Sequence, residues 1–180
     1  MKGLGILAVV LAALVLASAC GGGPKRYSLG ERVPFDGWPD VVAVDFRRDV
    51  DPDELYEPNS LWRGKEPNEN KEVVVITVQL INDEGEPFQV DPFYSFTLRS
   101  QGKEIDVTYE LFADCVLKDQ TLPPDKTIEG DLAYTIASGL RDLELVYQPG
   151  AGEATEQFFK DLAEGKLSSQ EPKRAYITLE

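Results

Sequence analysis

The sequence predicts an all-β protein built as a two-sheet sandwich, and three features point to this fold class. Short runs in which every second residue is apolar recur from residue 29 onward. Clusters of Gly, Pro, Asn and Asp separate these runs, as turns separate strands. Residues 29–180 are enough chain for one domain, and neither a repeat nor a second domain is visible. Many short strands joined by turns favour a sandwich.

The strongest predicted strand covers residues 72–82, which are rich in β-branched side chains. A period of two places four apolar residues on one face: Val74, Ile76, Val78 and Leu80. Val73 and Val75 on the other face indicate that this face is covered as well. We therefore expect a central strand.

The other predicted strands are shorter. They cover residues 41–46, 93–98, 104–109, 127–136, 141–147 and 175–179. A hairpin turn is expected at residues 100–103, and residues 111–117 are ambiguous between a short helix and an irregular buried segment. At residues 151–166 the apolar spacing becomes helical and Gly165 provides a stop, so a short helical insert is predicted near the C-terminus.

The N-terminus has the features of an export signal. Lys2 precedes an uncharged apolar run over residues 4–16, which is short for a permanent membrane span. The run ends in Ser-Ala-Cys, with Cys20 followed by three glycines. This ending resembles the lipobox of bacterial lipoproteins, in which the cysteine is acylated and becomes the first residue of the mature chain. The resemblance implies a signal peptide at residues 1–19 and a tether at 20–28.

Acylation would hold the protein at the cell membrane by its lipid (palmitate), facing the extracytoplasmic side. Two alternatives remain open: secretion after cleavage at Ala19, or an uncleaved anchor. The second cysteine, Cys115, is then unpaired and has apolar neighbours that favour a buried, inert thiol. Without acylation, a bridge between Cys20 and Cys115 becomes possible.

Composition excludes several classes of function. The chain has 32 acidic and 18 basic residues, a net charge of -14, which argues against nucleic acid and against broad contact with anionic lipid headgroups. It contains no histidine, and its single methionine is Met1. Catalysis by a Ser-His-Asp or Cys-His set is therefore excluded, and the usual zinc and copper sites lack ligands. Metals with oxygen ligands and carboxylate chemistry remain open.

The best candidate metal site is the acidic run that contains Asp49, Asp51 and Asp53. Alternating carboxylates imitate the opening of a calcium loop. The imitation is incomplete, because Pro52 stiffens the run and both the glycine and the closing glutamate of such a loop are missing. The alternative is a solvated acidic loop. No other cofactor is expected.

Two further sets of residues are candidate sites. Carboxylate pairs for sugar hydrolysis could form from Asp91 with Asp106, or from Glu110 with Asp114, but spacing alone does not set their separation. Three aromatic residues in predicted loops could contact a partner, namely Trp38, Tyr56 and Trp62. The alternative is that these rings cap the ends of the sandwich.

Three segments carry a family resemblance: KEVVVITVQLINDEGEPFQVDPFYSFTLRSQGKEIDV, LPPDKTIEGDLAYTI and LRDLELVYQP. Their order resembles the DUF4352 type of immunoglobulin-like domain, whose fold is shared by the MPT63-like secreted antigens of mycobacteria. The resemblance covers roughly residues 29–148 and implies an immunoglobulin-like sandwich on a lipid-anchored or secreted surface protein. The family has no catalytic residues to carry over.

Together these observations predict a membrane-anchored, extracytoplasmic and non-catalytic binding module. Its partner would be an unidentified protein or envelope component, recognised through sandwich-end loops, notably residues 49–70. The alternative is an accessory protein of the envelope that binds calcium or a small ligand. A third hypothesis is a weak hydrolase that uses carboxylates.

Overall fold

The computed structural model describes residues 25–56, 70–105, 108–109, 117–151 and 173–180. The predicted signal peptide, almost all of the predicted helical insert at 151–166 and most of the ambiguous segment at 111–117 lie outside these residues. The described elements, in chain order, are β1 (Arg26–Ser28), β2 (Arg32–Val33), β3 (Asp40–Arg47), α1 (Pro52–Leu55), β4 (Lys71–Asn82), β5 (Phe88–Val90), α2 (Pro92–Ser95), β6 (Phe96–Ser100), β7 (Lys103–Glu104), β8 (Thr108–Tyr109), β9 (Gln120–Leu122), β10 (Lys126–Ala137), β11 (Leu143–Tyr147) and β12 (Ala175–Thr178).

The strands form two packed sheets and a small third one. The first sheet has the order β1-β12-β11-β6-β7, and the second has the order β2-β3-β4-β10-β8. The pair β5-β9 forms a separate two-stranded sheet. Strands β1 and β12 are parallel, and the other described pairs are antiparallel. The predicted all-β, immunoglobulin-like sandwich is confirmed.

The core lies between the two main sheets, where the predicted alternation is confirmed. Each of the four apolar residues predicted on the inner face of β4 is at most 2% exposed. The inward residues of β10 lie beside this face in the same sheet, and those of β11 face it from the first sheet: Leu132, Tyr134 and Ile136, and Leu143, Leu145 and Tyr147. These positions face inward because side chains two apart lie on the same side of a strand.

The opposite face of β4 is also covered. Val73 and Val75 are 3% and 0% exposed and form a second apolar cluster with Val50, Leu55 and Tyr56. The segment that follows β3 therefore folds back across the outer face of the second sheet and adds α1 there. Burial on both faces explains why β4 is an almost continuous apolar run.

Residues 26–28, predicted to belong to the tether, form the edge strand β1. They pair with β12, and Tyr27 packs against the main core. The ordered domain therefore begins three residues earlier than the sequence suggested. A tether from Cys20 would be correspondingly shorter.

The prediction of one strand over residues 93–98 is wrong in its first half. Residues Pro92–Ser95 form the single turn α2, and β6 begins only at Phe96. Asp91 explains the difference, because its carboxylate accepts a hydrogen bond from the Tyr94 N–H at 3.3 Å and Pro92 occupies the first helical position. Local capping therefore overrides the alternating pattern.

The prediction of one strand over residues 104–109 is also wrong. Gln101 and Gly102 have φ values of 50° and 75° and form the predicted hairpin turn, after which β7 pairs with the end of β6. Ile105 packs against the main core. The next strand, β8, pairs with β10 in the other sheet. The chain thus changes sheets within a stretch that the sequence pattern treats as continuous.

The sandwich has two ends, which we name by their residues. At the α2 end, the Tyr147 hydroxyl donates to the Pro39 carbonyl at 2.9 Å and the Gln148 N–H donates to the Ser95 carbonyl at 2.8 Å. At the Arg48 end, Arg48 follows β3 and pairs with Glu180, which follows β12. The Tyr147 and Arg48 contacts join the two sheets at opposite ends, and the Gln148 hydrogen bond joins β11 to α2 within the first sheet.

Candidate functional site

The Arg48 end contains a partly buried charge cluster. The Arg48 guanidinium donates to both carboxylate oxygens of Glu72, one of them at 3.3 Å, and also to Glu180. The side chain of Glu72 is 5% exposed and that of Arg48 is 25% exposed. Because Glu72 lies on β4 and Glu180 follows β12, one arginine connects the two sheets.

This environment changes the ionisation of Glu72. Burial by itself raises the pKa of a carboxyl group, but hydrogen bonds and the positive charge of Arg48 outweigh burial here. Asp49 and the Gly139 N–H, which lies 3.2 Å from Glu72, act in the same direction. The pKa of Glu72 is therefore lowered, and its carboxylate stays ionised as a structural partner of Arg48.

The three carboxylates predicted as a calcium site have different surroundings. Asp49 has a positive φ of 50° and interacts with Glu72. The Asp51 carboxylate caps α1 by accepting the Asp53 N–H at 2.9 Å. Among the described residues, no group of three acidic or sulfur ligands is placed to hold a metal ion. Calcium binding by Asp49, Asp51 and Asp53 remains an untested prediction.

An open groove of about 380 Å³ lies beside the Arg48 end, against the outer face of the first sheet. Arg26 and three carboxylates line it: Asp142, Glu144 and Glu180. Arg26 and Glu144 form an ion pair of 2.9 Å. The groove is therefore acidic overall and matches a cationic group.

Glu144 is the most enclosed of these acids. It is 4% exposed, and its Oε2 has no hydrogen-bond partner among the described residues. Its direct neighbour across the sheet is Arg99, which lies 4.9 Å above the ring of Tyr176 and donates to the Gly102 carbonyl. Arg99 Nε also has no hydrogen-bond partner among the described residues, so two buried polar atoms of oppositely charged groups lie on neighbouring strands.

Two of the three aromatic residues predicted to contact a partner are in contact with the body of the protein. Trp38 is half-buried at the α2 end, 5.7 Å from the ring of Phe88, and packs closely over Gly150. Tyr56 is 8% exposed in the cluster under α1. The placement of Trp38 matches the alternative interpretation, in which the rings cap the ends of the sandwich, whereas Tyr56 packs on the outer face of the second sheet. Trp62 lies outside the described residues.

The aromatic side chains that are exposed were missed by the sequence analysis. Phe93 and Tyr94 on α2 are 51% and 49% exposed, and their rings contact edge to face at 5.0 Å. The Asp-Pro pair before them is the signal that could have identified a capped turn. The prediction of a half-buried strand at these positions did not identify the two side chains as exposed.

The carboxylate pairs considered for hydrolysis are not brought together in what the structure describes. Asp91 caps α2, while Asp106, Glu110 and Asp114 lie outside the described residues. Cys20 and Cys115 lie outside them too.

The α2 end shows why Tyr147 remains a hydrogen-bond donor. Burial, together with the charge of Asp40, raises the pKa of Tyr147. The phenol therefore stays protonated and donates to the Pro39 carbonyl at 2.9 Å. Phe35 and Phe96 pack on its ring with centroid distances of 5.1 and 5.0 Å.

The packed sheets and their connections define an all-β sandwich domain of the immunoglobulin-like class. The family described as a domain of unknown function, DUF4352, matches residues 47–157, more than half of the chain. The chain belongs to this family. The resemblance inferred from the three sequence segments is thereby confirmed.

Two solved structures are similar in fold. The YjhA protein of Bacillus subtilis is 18% identical, with a TM-score of 0.55 over 84% of this chain and 99% of that one. The YcdA protein of Bacillus subtilis, described as a "putative lipoprotein", is 19% identical, with a TM-score of 0.51. That match covers 80% of this chain but only 37% of YcdA.

A comparison with curated proteins finds no match. Among the residues that the structure describes, no helix is both long and apolar enough to cross a membrane.

Proposed function

We propose that this protein is an extracytoplasmic lipoprotein, anchored through Cys20, whose sandwich is a non-catalytic binding module for a cationic partner of the cell envelope. The anchor is supported by the N-terminal sequence and by the similarity to YcdA, which is described as a putative lipoprotein. The binding role is supported by the acidic groove beside the Arg48 end.

One observation carries the proposal: the chain enters the domain at the α2 end, whereas the side of the groove formed by Asp142 and Glu180 lies at the Arg48 end. Strand β1 runs parallel to β12, so it begins at the α2 end. Five peptide units separate Cys20 from Lys25 and span at most about 18 Å. Strand β11, which carries Glu144 in the first sheet, has five residues and is about 17 Å long, and Arg26 reaches the groove from the α2 side. An anchored Cys20 would keep the α2 end near the bilayer and leave the side of the groove formed by Asp142 and Glu180 facing away from it.

The chemistry of the groove favours a lysine or arginine side chain as the group that is recognised. Asp142 is exposed, Glu144 has an unpaired oxygen among the described residues, and the chain carries a net charge of -14. Complementary charge accelerates association and favours basic partners over acidic ones. The groove would thus accept a basic segment of a protein or envelope peptide.

The test is crosslinking in intact cells from a photoreactive residue at Gln101, which lines the groove, followed by mass spectrometry. We expect a reproducible partner whose basic segment carries the crosslink. Asp142→Asn should reduce capture several-fold, because it removes one groove charge. Asn tolerates the φ of 52° at this position.

Asp125→Asn is the matched control, because Asp125 also has a positive φ, 55°, but lies before β10 at the α2 end. Equal capture by the two variants, or the absence of any reproducible partner, would contradict the binding role. Cys20→Ser tests the anchor separately: we expect release of the protein from the membrane fraction, and continued retention would contradict anchoring by Cys20.

A second candidate function, binding of a small cationic ligand, is favoured by the size of the groove. A volume of about 380 Å³ is within the range of small-molecule sites. Calorimetry of the full chain with spermidine and with calcium tests this alternative. Heat of binding that Asp142→Asn weakens would support it, whereas no heat with either probe would exclude both of these ligands.

A further inference from the structure

The α2 end presents two large aromatic side chains to the surroundings. Phe93 and Tyr94 are neighbours on α2, and each is about half exposed. Two other large apolar residues are exposed among the described residues, Leu29 after β1 and Val44 within β3. Both lie away from the α2 end. Adjacent exposed aromatic rings commonly mark a contact surface, since leaving them in water is unfavourable.

The pair is held by ordered backbone. Asp91 caps α2 through its side chain, and its carbonyl accepts the Ser95 N–H at 3.0 Å. The Phe96 N–H closes the turn on the Pro92 carbonyl. The Gln148 N–H, after β11, bonds to the Ser95 carbonyl. The two rings are therefore presented in a defined direction at the end of the first sheet.

The same end receives the N-terminal chain. Phe96, which follows α2, pairs with Tyr147, and Tyr147 pairs with Ala175 at the start of β12. Because β1 is parallel to β12, Lys25 enters the sheet at this end. Lys25 lies within about 18 Å of Cys20 along the chain. An acylated Cys20 would therefore place the bilayer close to Phe93 and Tyr94.

We propose that Phe93 and Tyr94 insert into the interfacial layer of the bilayer and set the orientation of the anchored domain. This inference rests on the proposed lipid anchor. Aromatic side chains favour the headgroup level, where an apolar ring meets hydrocarbon and a hydroxyl meets water. The phenyl ring of Phe93 contacts the acyl boundary, and the hydroxyl of Tyr94 remains among the headgroups.

The two rings make an apolar contact, and charges of both signs surround it. Three cations are exposed at this end of the first sheet, Lys25, Lys173 and Arg174, while the turn after β4 places Asp83, Glu84 and Glu86 at the same end of the second sheet. These carboxylates are repelled by anionic lipid, so the domain tilts to bring the first sheet, with α2, toward the membrane. The cations add attraction where the lipid is anionic, whereas insertion of the two rings does not require anionic lipid.

The test uses the full chain, processed and anchored in cell membranes, with the photoreactive amino acid benzoylphenylalanine in place of Tyr94. The matched control carries it at Lys103, which is exposed at the opposite end of the same sheet. We expect lipid adducts at position 94 at several times the yield at position 103. Thermal unfolding of both variants, compared with the unmodified chain, verifies that they are folded.

The outcomes separate this inference from the proposed anchor. Retention in the membrane with equal lipid yields at 94 and 103 would overturn the inference and leave the anchor intact. Adducts at 94 to a protein, or to a second copy of this chain, would also overturn it. Membrane retention of a Cys20→Ser variant would overturn the anchor, and the inference with it. The protein reconstituted with phosphatidylcholine alone should give the same preference for lipid adducts at position 94 over position 103. Loss of that preference in phosphatidylcholine would contradict apolar insertion.

Discussion

Arg48 and Glu72 form a two-point ion pair at one end of the sandwich, and Arg48 extends the contact to Glu180 of the other sheet. The pair is placed by backbone geometry, since Arg48 leaves β3 where Glu72 enters β4. Two parallel hydrogen bonds from a guanidinium to a carboxylate are stronger than one bond from a point charge. This contact joins the two sheets at the end opposite α2.

We predict that Arg48→Met destabilises the protein by roughly 3 kcal/mol, because it leaves the enclosed carboxylate of Glu72 without its cation. Arg47→Met is the control. Arg47 is 43% exposed and makes ion pairs of 3.5 to 3.8 Å, so its loss should cost about 0.5 kcal/mol or less. Urea denaturation of both variants measures the difference. Equal midpoints would show that the Arg48 pair contributes no more than a surface pair.

Glu72 should make stability depend on pH in a defined direction. Its pKa is lowered below the ordinary value of 4.5, so the unfolded state binds the proton more readily. The stabilisation is present above that value and is lost as the pH falls through the folded-state pKa. Urea titrations measure the difference in unfolding free energy between the unmodified chain and Glu72→Gln. This difference should narrow as the pH is lowered from roughly 5 to 3. A difference that stays constant over this range would contradict the lowered pKa.

Asn82 is a second test of buried polar contacts. It is fully buried, its amide donates to the carbonyls of Glu86, Leu122 and Pro123 at 2.9 to 3.2 Å, and its carbonyl accepts the Glu84 N–H. Asn82→Asp replaces the donor by an acceptor that faces three carbonyls. We expect a loss of roughly 3 kcal/mol or more at neutral pH.

The loss at Asn82→Asp should shrink as the pH is lowered and the new carboxyl group becomes protonated, which thermal unfolding at pH 7 and pH 5 can measure. Asn70→Asp introduces the same charge at an exposed position and should be nearly neutral. A large effect at Asn70, or a pH-independent effect at Asn82, would indicate that net charge rather than local pairing is responsible.

Gly150 tests the packing of Trp38. A Cβ at this glycine would lie 2.5 Å from the Trp38 ring, and the backbone φ is +72°. Gly139 has a similar φ of +78°, but nothing lies within 4 Å of its Cβ position. Gly139→Ala should therefore cost about 1 kcal/mol from the backbone alone, and Gly150→Ala clearly more. Thermal unfolding compares the two, and changed tryptophan fluorescence in Gly150→Ala alone would locate the strain at the ring.

Much of the fold was predictable because alternation along a strand is a local property. The inward faces of β4, β10 and β11 follow directly from apolar residues spaced two apart. The turn at Gln101 and Gly102 was predictable for a similar reason, because it needs residues that tolerate positive φ. The errors at α2 and at the change of sheet after β7 arose where a cap or a core contact overrode the pattern.

Candidate sites were harder to predict, because they depend on residues that are distant in sequence. Trp38 is next to Phe88 and Gly150, and Asp142 is next to Glu180, but no spacing in the chain reveals either proximity. The acidic run at residues 49–53 was visible in the sequence. That Asp51 is already engaged as a helix cap was not.

The chain composition and its local periodicity were sufficient to establish the fold class, the faces of the long strands and the absence of histidine chemistry, because each depends on residue types and short spacings. Tertiary structure alone decided that Arg48 connects the sheets, that Asp142 and Glu180 line one acidic groove, and that the N-terminal strand starts at the same end of the first sheet as Phe93 and Tyr94. Strand order and sheet packing bring such distant residues together, and no local pattern encodes either one.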